Sequence, residues 1–238
     1  MKSPINNILF LDIETVPLSA NYDDLDERSR RLWDYKAVLL SKQEADTPKS
    51  LYARAGIYAE FGKIICIGCG YIVQEAHVKK LRIKSFYDDN EAKLLAEFKK
   101  MVEASFDDGS KLLCAHNGKE FDFPYIARRM LINSVKIPNI LNMSGKKPWE
   151  IQHLDTLDMW KFGDYKNYAS LDLLTHIFNI PTPKNDIDGS QVASVYWNDN
   201  DLQRIVTYCQ KDVVALVNVF LRLHSEPIIE ENNVMFLT

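Results

Sequence analysis

Asp12 and Glu14 lie two residues apart in Ile8-Leu-Phe-Leu-Asp-Ile-Glu-Thr15, where an apolar run over 8–13 ends. On a strand, residues i and i+2 face one side, so both carboxylates project together. Two acids side by side repel, which is costly unless a cation lies between them. A strand end running into solvent also carries acids, so this pair alone decides nothing. A second set is His116-Asn-Gly-Lys-Glu-Phe-Asp-Phe-Pro124, placed where a strand hands over to a helix, a common location for sites in α/β folds. Asp122 there reads equally as an N-cap, and Asn117-Gly118 as an ordinary turn.

The third set is Tyr208-Cys-Gln-Lys-Asp212. Apolar residues at 202, 205, 206, 209, 213, 216, 217 and 220 follow the i, i+3, i+4, i+7 pattern of one helix over 200–223. Tyr208 and Asp212 form an i, i+4 pair on its flank, roughly 80–120° from the middle of the apolar stripe. A group that must reach a cleft from a packed helix sits there, as does any boundary residue.

The elements that must position these groups follow from pattern. Residues 8–13 suit a strand buried on both faces. Residues 19–61 are charged and aromatic, and Leu25, Leu32, Trp33, Lys36 and Leu40 suggest an amphipathic helix within an insertion. Two strands are expected over 63–74 and 77–87, then a helix over 91–104 capped by Asp89 or Asn90. Lys111–Ala115 reads as a strand and Pro124 as the first turn of a helix running to about Asn133. Residues 134–150 are irregular, a strand enters Asp155, and helical segments lie near 156–162 and 168–179. Residues 181–190 form a loop by composition, and Asp186-Ile-Asp188-Gly189 is a capped turn rather than a calcium loop. With no repeat or low-complexity linker, one domain over 1–238 is expected.

Bulk properties narrow the classes. The chain of 238 residues has no run near the roughly 18 apolar residues of a membrane span. Its first residues, interrupted by Pro4, Asn6 and Asn7, do not form a signal peptide. A cytoplasmic location without membrane contact is therefore expected. Cys66 and Cys69 are three apart on a strand and point to opposite faces, so they read as core thiols rather than metal ligands. The net charge of −4 argues against a general nucleic-acid binder, which carries a basic stripe.

The three sets in this order resemble the tyrosine-containing branch of the DEDD exonucleases, on the ribonuclease H-like fold. The Asp-Ile-Glu-Thr and Asn-x-x-x-Phe-Asp forms are similar to those of the proofreading exonuclease domain of family-B DNA polymerases. The chain looks closer still to a bacterial group of free-standing 3′→5′ exonucleases related to that domain. The resemblance spans about residues 8 to 223, with no polymerase domain in the sequence. It implies an α/β fold with a central mixed five-stranded sheet flanked by helices and a helical insertion, here 19–61.

It further implies 3′→5′ hydrolysis of phosphodiester bonds, with the 3′ end of nucleic acid as partner and DNA ahead of RNA. Two divalent ions, Mg²⁺ or Mn²⁺, would be held by Asp12, Glu14, Asp122 and Asp212. Asp12 would bridge them, and Tyr208 would orient the attacking water. Thr15 and Leu18 would lie beside the terminal nucleotide, Asn117 beside the penultimate one, and Phe121 would wedge or belong to the core. Asp155-Thr156 resembles an acidic position near such sites, and Asp155 is assigned no role. The four acids carry −4, so the remainder of the chain sums to −4 − (−4) = 0, and the acidity ceases to exclude nucleic acid. Lys119, Arg128, Arg129, Lys146, Lys147, Lys161 and Lys166 are candidates for phosphate contacts. An exoribonuclease, or an inactive nucleic-acid-binding protein on the same fold, remains an alternative. The latter predicts a broken acid set, whereas this one is complete.

Overall fold

The apolar run at Ile8 forms β1 (Ile8–Pro17), which extends past the expected 8–13 and so includes Glu14 as well as Asp12. Leu9, Leu11 and Ile13 enter one apolar cluster, while Ile8 and Phe10 enter another on the opposite face. This double covering is why the sequence there is continuously apolar. The structure, a computed structural model, describes residues 5–76, 78–164, 166, 168–181 and 187–237. Asp186 lies outside them.

After β1 come α1 (Glu27–Leu40) and the short α2 (Pro48–Leu51). Trp33 is fully buried among Leu25, Ala37, Leu51, Tyr52 and Ala55, and its indole N–H donates to Pro48 O at 2.8 Å. The expected inward Leu32 is instead exposed, since Trp33 and Ala37 define the packed face of α1. Strands β2 (Gly62–Glu75) and β3 (Val78–Tyr87) pair as an antiparallel hairpin. α3 (Glu91–Ser105) is capped by Asn90, whose side chain accepts the Lys93 amide. β4 (Leu112–Ala115) and α4 (Asp122–Ile132) follow, then β5 (Leu154–Asp155) and α5 (Thr156–Lys161). The last third holds α6 (Leu171–Ile177), the short α7 (Val192–Ser194), α8 (Leu202–Leu223) and β6 (Val234–Leu237).

The strand order is β5-β4-β1-β2-β3-β6. β1 runs antiparallel to β2 and parallel to β4, and β4 runs parallel to β5. These five strands make the expected ribonuclease H-like sheet. The count of five needs correction, because β6 adds a sixth strand parallel to β3. Val234–Leu237 is too short for periodicity to reveal, and its partner is the otherwise unpaired edge of β3. α3 and α4 cover one face of the sheet and α8 the other.

Candidate active site

β1, β4 and β5 all point the same way, so their carboxyl ends open on one crevice, where α/β sheets place ligands. At this end of β1 the pairing with β2 slips: Glu14 faces Cys66, whereas Thr15 faces Ile64. Such a bulge re-aims side chains and is common beside active sites. Asp12 and Glu14 project on the side covered by α8.

α8 approaches closely because β2 offers it almost no side chains. A Cβ on Gly68 would sit 2.8 Å from Cys209 Sγ and 2.9 Å from Val213 Cγ2, and one on Gly70 would sit 2.7 Å from Val213 Cγ1. Cys209 Sγ therefore reaches Asp12 Oδ2 at 3.5 Å. Ligand atoms of Asp12, Glu14 and Cys209 all lie within 4.8 Å of one another. Tyr208 and Asp212, close enough for each to act on the other's ionisation, come in on the same helix. From the other layer comes Asp122, close enough to the backbone N–H of Ile13, between the two strand acids, for that dipole to favour its ionised form. Asp122 is the first residue of α4, and Phe121 holds the N-cap position, so capping does not explain this carboxylate.

The electrostatics are those of like charges withdrawn from water. Burial, then the charges of Asp212 and Asp122, pushes the Asp12 carboxyl well above the usual range. Burial and Asp12 do the same to Glu14. Asp122 is pushed up to about 7, first by burial, against the opposing pull of its own amide and that of Ile13. Asp212 rises to about 6, by burial and by Asp172, although the nearby Tyr208 hydroxyl works the other way. Burial and the Asp212 charge raise the Tyr208 hydroxyl, which stays protonated near neutral pH. Among the described residues no lysine or arginine forms an ion pair with Asp12, Glu14 or Asp122. The paired Asp12 and Glu14 carboxylates, with the like charges of Asp122 and Asp212 acting on both, fit hard divalent cations.

Asn117 has a left-handed backbone, φ 61°, which a short polar side chain tolerates. Its amide and that of Lys119 donate to the buried Asp155 carboxylate, which also accepts from Leu157 and Asp158. Asp155 thus builds the turn that carries Asn117. Thr15 lies beside the Tyr125 hydroxyl, which donates to Gly56 O at 2.7 Å, and Leu18 is exposed just beyond β1. Phe121 is half-buried, its ring 5.3 Å from that of Tyr125. Of the candidate phosphate contacts, Arg129 must be withdrawn: it is buried and paired with Glu91, because α4 turns that side into the core. Cys209 and Asp172 escaped the sequence reading, the first being counted only as part of the apolar stripe. The alternation Cys66-Ile-Gly-Cys-Gly70 was the available signal for the close helix seat.

A family described as predicted 3′-5′ exonucleases related to the exonuclease domain of PolB matches residues 57–230. The chain belongs to that family. It is a 3′→5′ exonuclease, a hydrolase related to a polymerase proofreading domain. The matched span contains Asp122, Tyr208 and Asp212, while Asp12 and Glu14 precede it and are brought in by β1. No curated protein matches the chain. Among solved structures, the family B DNA polymerase of the archaeon Pyrobaculum calidifontis is similar, with 15% identity and a TM-score of 0.49. The similarity covers 92% of this chain and 25% of the polymerase. Among the described residues of the exonuclease, no helix is long and apolar enough to cross a membrane.

Proposed function

We propose that this exonuclease shortens single-stranded DNA from its 3′ end, releasing nucleoside monophosphates, with two Mg²⁺ or Mn²⁺ ions held by Asp12, Glu14, Asp122 and Asp212. The observation that carries the reading is the Asp12–Glu14 pair beneath α8, on which the charges of Asp122 and Asp212 both act and to which no lysine or arginine is paired among the described residues. A bound metal pair supplies an activated water and stabilises the leaving 3′-oxygen. The remaining roles fall to the chain itself. Tyr208, protonated, orients the attacking water by hydrogen bonding rather than removing its proton. Cys209 holds Asp12 in place. Thr15, Leu18, Asn117 and Phe121 line the terminal nucleotides, gripping them without reading sequence. DNA is favoured over RNA by the family's relation to a polymerase domain. We read the chain as one exonuclease unit with 19–61 as an insertion, and place it in the cytoplasm, where its four free thiols stay reduced.

The test is a side-by-side assay of end-labelled single-stranded DNA, duplex DNA and RNA with Mg²⁺ or Mn²⁺. Stepwise shortening of the single-stranded DNA is expected, lost in EDTA and in both Asp12→Ala and Asp212→Ala. Activity that survives EDTA, or that persists in both variants, overturns the site. Preferential decay of RNA overturns the substrate.

A further inference from the structure

The segment joining α5 to α6 holds two large aromatic rings in water. Phe162 is 86% exposed and Tyr168 is 66% exposed. Phe162 closes α5 with a left-handed backbone, φ 44° and ψ 33°, a conformation that bulky residues rarely take. Phe162 joins none of the apolar clusters of the described residues, so the fold gains no core packing from this strained position. Strain of this kind gathers at functional positions.

The same segment is tied to the crevice. His116, which precedes Asn117, places Nε2 2.9 Å from the carbonyl oxygen of Ala169, next to Tyr168. Lys119, from the Asn117 turn, and Lys161 both reach Asp158, at 3.3 and 3.4 Å. Lys161 Nζ lies 4.8 Å over the Tyr168 ring. Asp172, in the first turn of α6, is close enough for its charge to act on Asp212. Two ammoniums share one carboxylate, so the trio keeps a net positive charge; Lys161 is buried beneath the Tyr168 ring, and the partly exposed Lys119 offers the spare N–H donors. Open aromatic faces beside such a charge suit a chain of unpaired bases and phosphates. A duplex hides its base faces and does not.

We propose that Phe162 and Tyr168 form a stacking platform, flanked by Lys119 and Lys161, for the unpaired bases of the single strand whose 3′ end enters the crevice. The proposal rests on the exonuclease reading above and adds where the body of the substrate lies. It predicts that removing each ring weakens binding of a single-stranded oligonucleotide by about 5- to 100-fold, the range for loss of one stacked base.

Binding is measured by fluorescence anisotropy of a labelled single strand in the Asp12→Ala background, which separates it from hydrolysis. Phe162→Ala and Tyr168→Ala should raise Kd, whereas Phe162→Trp and Tyr168→Phe should restore it. In the active protein the alanine variants should raise KM and leave kcat near that of the intact enzyme. An abasic position in the oligonucleotide should remove the penalty of the alanine variants, which a merely structural role would not allow. Unchanged Kd in both alanine variants, or no single-strand binding by the intact platform, overturns the proposal. If single strands bind through the rings but are not shortened with Mg²⁺ or Mn²⁺, the exonuclease reading fails alone. If they are shortened while both rings are dispensable, the platform fails alone.

Discussion

Glu91 and Glu14 are equally withdrawn from water, each 7% exposed, yet their surroundings are opposite. Glu91 accepts the Ile64 amide at 2.7 Å, Arg129 Nε at 2.8 Å and Asn133 Nδ2 at 2.8 Å, with a second arm of Arg129 on its other oxygen. A carboxylate so surrounded is neutralised and satisfied inside the protein. The charges acting on Glu14 are instead those of Asp12, Asp212 and Asp122, all of its own sign. The chain can bury an acid with its counter-charge, as α3 and α4 show. Beneath α8 it assembles acids without one, which destabilises the empty cluster and leaves the counter-charge to be supplied from outside.

That contrast can be broken by substitution. Asp12→Asn keeps the shape of the side chain and removes one of the crowded charges. It should lower 3′-end release by on the order of 10³-fold, since metal assistance contributes several kcal/mol. Urea unfolding of the metal-free variant should nonetheless show a midpoint equal to or above that of the intact protein. Arg129→Met should behave in reverse. It leaves Glu91 buried without its cation and should cost about 3–5 kcal/mol of stability, while kcat per folded molecule stays close to that of the intact enzyme. Equal destabilisation of the metal-free protein by the two substitutions would make the site acids structural and end the distinction.

The sequence was informative where a side chain's role follows from local period. Asp12 and Glu14 share a strand face, and Tyr208 and Asp212 share a helix flank, as spacing alone requires. Asp122 was ambiguous because an acid before X-Pro caps helices as readily as it serves a site; only its place after the N-cap Phe121 and its charge on Asp12 and Glu14, far away in the chain, separate the two. Arg129 looked like a surface cation because nothing local shows that Glu91 waits across the core. The seat of α8 depends on glycines of β2 meeting Val213 and Cys209, a contact between elements that no single period encodes. β6 was missed for the same reason: four apolar residues become a strand only because β3 has a free edge.

The smallest effect expected from the contrast is a pH dependence of the metal-free fold. In the unfolded chain an aspartate ionises near its ordinary value of 3.8, whereas folded Asp122 ionises near about 7 and Asp212 near about 6. Between these values the folded state binds more protons than the unfolded state, so raising the pH favours unfolding. The stability contributed by these groups is full below about pH 4 and is lost as pH rises through about 7, a loss of roughly 3 kcal/mol for Asp212 and roughly 4 kcal/mol for Asp122 at about 1.36 kcal/mol per unit. Half-buried His116 and His153, whose folded values desolvation depresses, act in the opposite direction. Comparison with Asp122→Asn removes their contribution, because both proteins share it. In EDTA the intact protein should lose stability relative to that variant from pH 5 to pH 8. Added Mg²⁺ or Mn²⁺ should abolish the difference, since the ions bind the ionised acids. A difference that stays flat, or that grows in favour of the intact protein in EDTA, would mean that the cluster carries its own compensation, as Glu91 does.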